Sequence, residues 1–163
     1  MCWQCDHPDA TIDDYLDTVR AKIDANGWAV QYIEDARRPF EYTIGLHARG
    51  LAGLLLTGVT AQRALLVLNS VAEYCVNTVQ PSEGEAMSLP DCMIEFVHVK
   101  RPDLHLAHAV NIYGPEVRAL QLVWVDRHGH SPWCPDFDRG RGSQPVLGVR
   151  ATPRRPRAKH QRA

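Results

Sequence analysis

The chain is expected to fold as a single α+β domain, a mostly antiparallel sheet with helices packed on one face. Three observations predict this class. Two stretches carry apolar residues at helical spacing, several short β-branched and aromatic runs are separated by turn residues, and the order of these segments mixes hairpins with helical crossovers. The 163 residues suit one domain, and 45% hydrophobic residues are enough for one core of ordinary size.

The first helix follows from Ile12, Tyr15, Leu16, Val19 and Ile23, which form an apolar stripe on an otherwise polar segment. Thr11 or Asp9 supplies its cap, Asp13 and Asp14 suit the positive end of its dipole, and Asn26-Gly27 provide a left-handed stop. Residues 28–33 and 40–45 then read as a hairpin around a polar turn, and residues 54–59 as a short buried strand. A second helix opens at Thr60 and carries Ala64, Leu65, Leu68, Val71, Ala72, Cys75 and Val79 at helical spacing, with Pro81 and Gly84 marking its exit. Cys75 lies on the apolar face and reads as inert core. Residues 81–91 read as a loop, 92–100 as a strand, and 102–113 as one short helix opened by Pro102 and ended by Gly114-Pro115. Residues 119–125 form a clear strand, and 126–130 a turn into a partner strand ending near Trp133.

The charge is divided unevenly. Residues 139–163 hold eight Arg or Lys and no acid, whereas the rest carries ten basic against nineteen acidic residues. The domain is therefore placed at 1–149, and 150–163 is read as a disordered basic tail. Arg150, Arg154, Arg155, Arg157 and Lys159 are its candidate contacts to an anionic partner such as RNA, acting through counterion release, although a plain solubilising terminus has the same composition. No apolar run reaches 18 residues and no secretory pattern opens the chain, so a cytoplasmic protein without a membrane partner is expected. Five cysteines, an odd number, then favour reduced thiols over a disulfide framework.

The chemistry concentrates at Cys2, Cys5 and His7. Two thiols in Cys-x-x-Cys spacing and a nearby imidazole suit Zn²⁺, a borderline-soft cation. The set lacks a fourth ligand, for which His47, Cys134, His128 and His130 are candidates. A redox dithiol and an unused pair are the competing readings; against the first, no strand precedes the motif as it does in thioredoxin-like sites. His105 and His108 could share a helix face as a metal pair or an acid and base, or simply sit satisfied at a helix surface. No Gly-x-Ser-x-Gly elbow or phosphate-binding glycine loop ending in Lys-Ser/Thr is present, so the residues do not single out an enzyme.

Several blocks carry a family resemblance: the opening Met1-Cys2-Trp3-Gln4-Cys5-Asp6-His7-Pro8, then Tyr42-Thr43-Ile44-Gly45-Leu46, Tyr113-Gly114, Arg118-Ala119-Leu120-Gln121-Leu122-Val123-Trp124, and Gln144-Pro145-Val146-Leu147-Gly148. Together they resemble the actinobacterial domain-of-unknown-function 4262 family over about residues 1–149. Cys134 departs from the acidic residue associated with its position. The resemblance implies a zinc-responsive, ribosome-associated adaptor that recruits a hibernation protein, with Cys2 and Cys5 as sensing thiolates. A metal- or histidine-dependent enzyme is the alternative.

Overall fold

The computed structural model describes residues 3–152. Helix α1 is a single turn, Trp3–Asp6, so Cys5 lies on a short folded element ahead of the first long helix. Helix α2 spans Ile12–Asn26. Thr11 is its cap: the Asp14 N–H donates to Thr11 Oγ1 at 3.2 Å, and the Thr11 N–H donates back to Asp14 Oδ2 at 2.7 Å. That backbone bond, followed by the Thr11 hydroxyl, holds the Asp14 carboxyl below its ordinary value. Gly27, at φ 89°, ends the helix with its N–H on the Ile23 carbonyl, a conformation that favours glycine.

The hairpin is β1 (Ala29–Ile33) with β2 (Phe40–Ile44), and β3 (Gly53–Thr57) pairs antiparallel with β2. Helix α3 (Ala61–Asn77) starts at its Thr60 cap and returns the chain across the sheet. A short strand β4 (Ala86–Ser88) lies inside the stretch expected to be a loop, and it borders β5 (Met93–Val99). Strand β6 (Ala119–Trp124) inserts between β3 and β5, parallel to β3 and antiparallel to β5. The sheet order is β1-β2-β3-β6-β5-β4, and β7 (Gly148–Val149) pairs with the other half of β5.

Two expectations about the second half are corrected. The segment expected to be one helix is two, α4 (Pro102–His105) and α5 (Ala107–Tyr113), because the chain bends at Leu106, whose φ/ψ of −101°/54° sinks its side chain fully into the core. The strand expected directly after the turn at 126–130 does not form at 131–133. Pro132 and Pro135 have no N–H for a ladder, and the Asp126 carboxylate takes the nearby backbone donors instead.

The α+β class and the mostly antiparallel sheet are as expected, but helices cover both faces. Leu54, Leu56, Ile94, Phe96 and Leu122 pack with Leu68, Val71 and Cys75 of α3. Tyr42, Ile44, Leu55 and Val99 pack on the opposite side with Val19 of α2 and Ala109 of α5. Strand β3 is buried along its whole length, which explains its uninterrupted leucines. Each fully buried leucine contributes roughly 2 kcal/mol of apolar transfer. No helix among the described residues is long and apolar enough to cross a membrane.

Candidate functional site

Because β3 and β6 run parallel, their carboxyl ends lie at the same edge of the sheet. From there β3 leads into α3 and β6 into the loop of residues 125–147, and the divergence opens a cleft of about 920 Å³. Open sheets bind ligands in this position. Arg37 and Arg38 from the β1–β2 turn, Arg63 from the first turn of α3, and Trp124, Asp126 and Arg127 line it. Arg63 is held by Asp91 at 2.6 Å, and that hydrogen bond keeps the Asp91 carboxyl below its ordinary value. The backbone N–H groups of Arg37 and Arg38 donate to Asp35, while their guanidinium groups make no hydrogen bond or ion pair among the described residues.

The cleft wall is fastened by buried polar side chains. The Gln144 side chain extends the ladder of β6, accepting from the Trp124 N–H at 2.9 Å and donating to the Trp124 carbonyl at 2.8 Å. Gln121, fully buried, donates to Pro145 O and Thr57 Oγ1 and accepts from the Leu147 N–H. Asp126 organises the loop's tip. It accepts the backbone N–H groups of His128, His130 and Asp138 at 2.8, 2.9 and 2.8 Å, and its Oδ2 lies 3.3 Å from His130 Nδ1. Burial pushes its carboxyl up, but these donors outweigh that effect and hold it well below the ordinary range. Asp138 and Arg139 sit at φ 47° and 58°, a strained conformation for residues with a Cβ, and Gly142 is required because a Cβ there would meet the Phe137 ring at 2.2 Å.

This loop brings His130, Cys134 and Asp136 together, with one ligand atom from each within 4.8 Å of the others, so the set could hold a metal ion. His130 and Cys134 were separate candidates for one missing ligand. Asp136 and the supporting Asp126 were not anticipated, although the spacing Asp126-x₃-His130-x₃-Cys134-x-Asp136 was a legible signal.

The other sequence candidates lie apart. Cys5 is exposed on α1, and His7 stacks on Trp3 at 4.5 Å with its Nδ1 on the Trp3 carbonyl at 2.9 Å; Cys2 lies outside the described residues. His47 contacts Arg118 O at 3.3 Å near the start of β3, the end of the parallel pair remote from the loop. His128 lies beside His130, with ring centroids 6.2 Å apart. The bend at Leu106 separates His105 from His108: His105 meets the edge of Phe40, whereas His108 packs on Tyr15, and burial lowers the basicity of both. Cys75 is buried, which pushes its thiol up to about 11 and makes it inert at neutral pH. Arg150 forks onto Glu95 at 3.0 Å and lies over Trp133 at 4.3 Å, so its charge is engaged within the fold. Arg154, Arg155, Arg157 and Lys159 lie outside the described residues.

No curated protein and no solved structure matches the chain. The domain-of-unknown-function 4262 family matches residues 22–138, a narrower span than 1–149 that takes in most of the cleft lining and His130, Cys134 and Asp136 but not Cys2, Cys5 or His7. A match over well more than half of its length shows that the chain belongs to the domain-of-unknown-function 4262 family.

Proposed function

We propose that this protein is a zinc-responsive adaptor acting at the ribosome, where it recruits a hibernation factor, as the resemblance of its opening residues implies. The observation that supports this reading is the placement of Cys5. It is exposed on a one-turn helix that contributes nothing to either core cluster, so metal can enter and leave without disturbing the fold. His7 suits the same site: a carbonyl oxygen can only accept, so its Nδ1 carries the proton toward Trp3 O and Nε2 keeps the lone pair for a metal. Two or three protein ligands on an exposed single turn make an exchangeable site, which serves a sensor better than a structural staple. Arg154, Arg155, Arg157 and Lys159 would supply charge toward ribosomal RNA.

The test is cosedimentation with ribosomes at two salt concentrations, with and without zinc, for the wild type, Cys2→Ser/Cys5→Ser, and a chain ending at Thr152. The adaptor reading expects zinc-dependent sedimentation that the double variant loses, and a shallower salt dependence for the shortened chain. Zinc-independent sedimentation, or none, would overturn it. The cleft favours a second reading, an enzyme acting on an anionic substrate held by Arg37 and Arg38. That reading expects Arg37→Ala/Arg38→Ala to abolish turnover while zinc content and sedimentation stay unchanged.

A further inference from the structure

We infer that His130, Cys134 and Asp136 form a zinc-type metal site of their own, separate from the N-terminal thiol pair, with Asp126 as the residue that positions the His130 ring. The donor set of one imidazole, one thiol and one carboxylate selects a borderline metal, because magnesium and calcium prefer oxygen donors alone. Geometry permits closure. A tetrahedral ion with bonds of roughly 2.0–2.3 Å holds its donors about 3.3–3.8 Å apart. The donors here lie within 4.8 Å of one another, so side-chain rotations of about an ångström complete the site.

The ring of His130 is already set for ligation. The Asp126 carboxylate oxygen Oδ2 lies 3.3 Å from His130 Nδ1, so this contact occupies Nδ1, orients the ring and leaves Nε2 as the nitrogen offered to a metal. The loop backbone arranges the other two donors. Cys134 N–H donates to Ser131 O at 2.9 Å, Phe137 N–H to Cys134 O at 3.1 Å, and Arg139 N–H to Asp136 O at 2.9 Å, a run of tight turns that holds Cys134 and Asp136 near His130. Ion binding releases the Cys134 thiol proton to solvent, and three protein donors leave one position for water or another ligand. Asp126 also lines the cleft, so the site lies one hydrogen bond behind the cleft wall. A metal there would stiffen the loop tip that Asp126 organises.

The experiment uses full-length protein, reduced, stripped with chelator and reloaded with zinc or cobalt. Zinc content is measured by elemental analysis, and a thiolate-to-cobalt charge-transfer band reports a cysteine ligand. Cys2→Ser/Cys5→Ser is expected to retain one zinc and the cobalt band, and adding Cys134→Ser is expected to remove both. Asp136→Asn, at an exposed position, is expected to weaken zinc while leaving the circular dichroism spectrum unchanged. Asp126→Asn is expected to raise the zinc Kd about 10- to 100-fold while keeping the cobalt band at saturating metal. Absence of zinc and of the band in Cys2→Ser/Cys5→Ser, with native circular dichroism, overturns the site. Retention of both after Cys134→Ser is added overturns it equally. Ribosome sedimentation is scored separately, so the adaptor reading and the loop site stand or fall independently.

Discussion

The N-terminal turn and the C-terminal loop both carry a cysteine and a histidine, yet they are held in opposite ways. Cys5 sits on a four-residue helix with no buried residue and His7 directly follows it, steadied by the Trp3–His7 stack and the turn bond from Nδ1. His130 and Cys134 sit on a stretch of loop outside any helix or strand, but the loop's base is pinned by Gln121 and Gln144 and its tip by Asp126, all three buried. Regular secondary structure is therefore a poor guide to rigidity here. The loop is the more firmly positioned of the two because buried polar groups, each with its partners made, allow one arrangement only.

The strongest way to break this comparison is Gln121→Leu. It strips the Leu147 N–H of its acceptor and Thr57 Oγ1 and Pro145 O of a donor, and is expected to cost about 3 kcal/mol in urea unfolding. A cost near zero would mean that the loop is not docked through this side chain. Next in size is Glu41→Gln. Glu41 is a buried polar residue of β2 with no side-chain hydrogen-bond or ion-pair partner among the described residues, and burial pushes its carboxyl up to about 7. Its folded value lies above the unfolded one, so between about pH 4.5 and 7 the unfolded chain loses this proton first, and stability falls as pH rises through that window. The loss reaches up to about 3 kcal/mol in the wild type, and Glu41→Gln is expected to flatten that part of the stability profile. An unchanged profile would show that Glu41 reaches water in solution.

Smaller effects sharpen the N-terminal side. Thr11→Ala removes the hydroxyl half of the α2 capping box and is expected to cost about 1 kcal/mol by thermal or urea unfolding. Cys5→Ser is expected to shift stability by less than about 0.5 kcal/mol in metal-free protein, because the residue is exposed and outside both cores. A larger loss would tie the N-terminal turn into the fold and remove its contrast with the loop.

Helices α2 and α3, the β1–β2 hairpin and strands β3, β5 and β6 were legible because each rests on local periodicity and local caps such as Thr11, Gly27 and Thr60. The short strand β4 was not, since Ala86–Ser88 has almost no apolar pattern and becomes a strand only because β5 offers it an edge. The bend at Leu106 was hidden for a similar reason: a continuous helix has the better local geometry, and burial of Leu106 overrides it. Of the loop site, His130 and Cys134 were visible as isolated metal-binding types, whereas their grouping with Asp136 depended on the folded loop.

By itself the sequence determined the α+β class, the main elements and the residue types able to bind metal, because periodicity, capping and donor chemistry are properties of neighbours along the chain. Only the tertiary structure decided that helices cover both faces of the sheet and that β6 enters parallel to β3, opening a cleft at their shared ends. It alone placed Asp126 against His130 and carried Arg150 onto Glu95 and Trp133, since those contacts join groups that the loop and the sheet edge bring together only once both are folded.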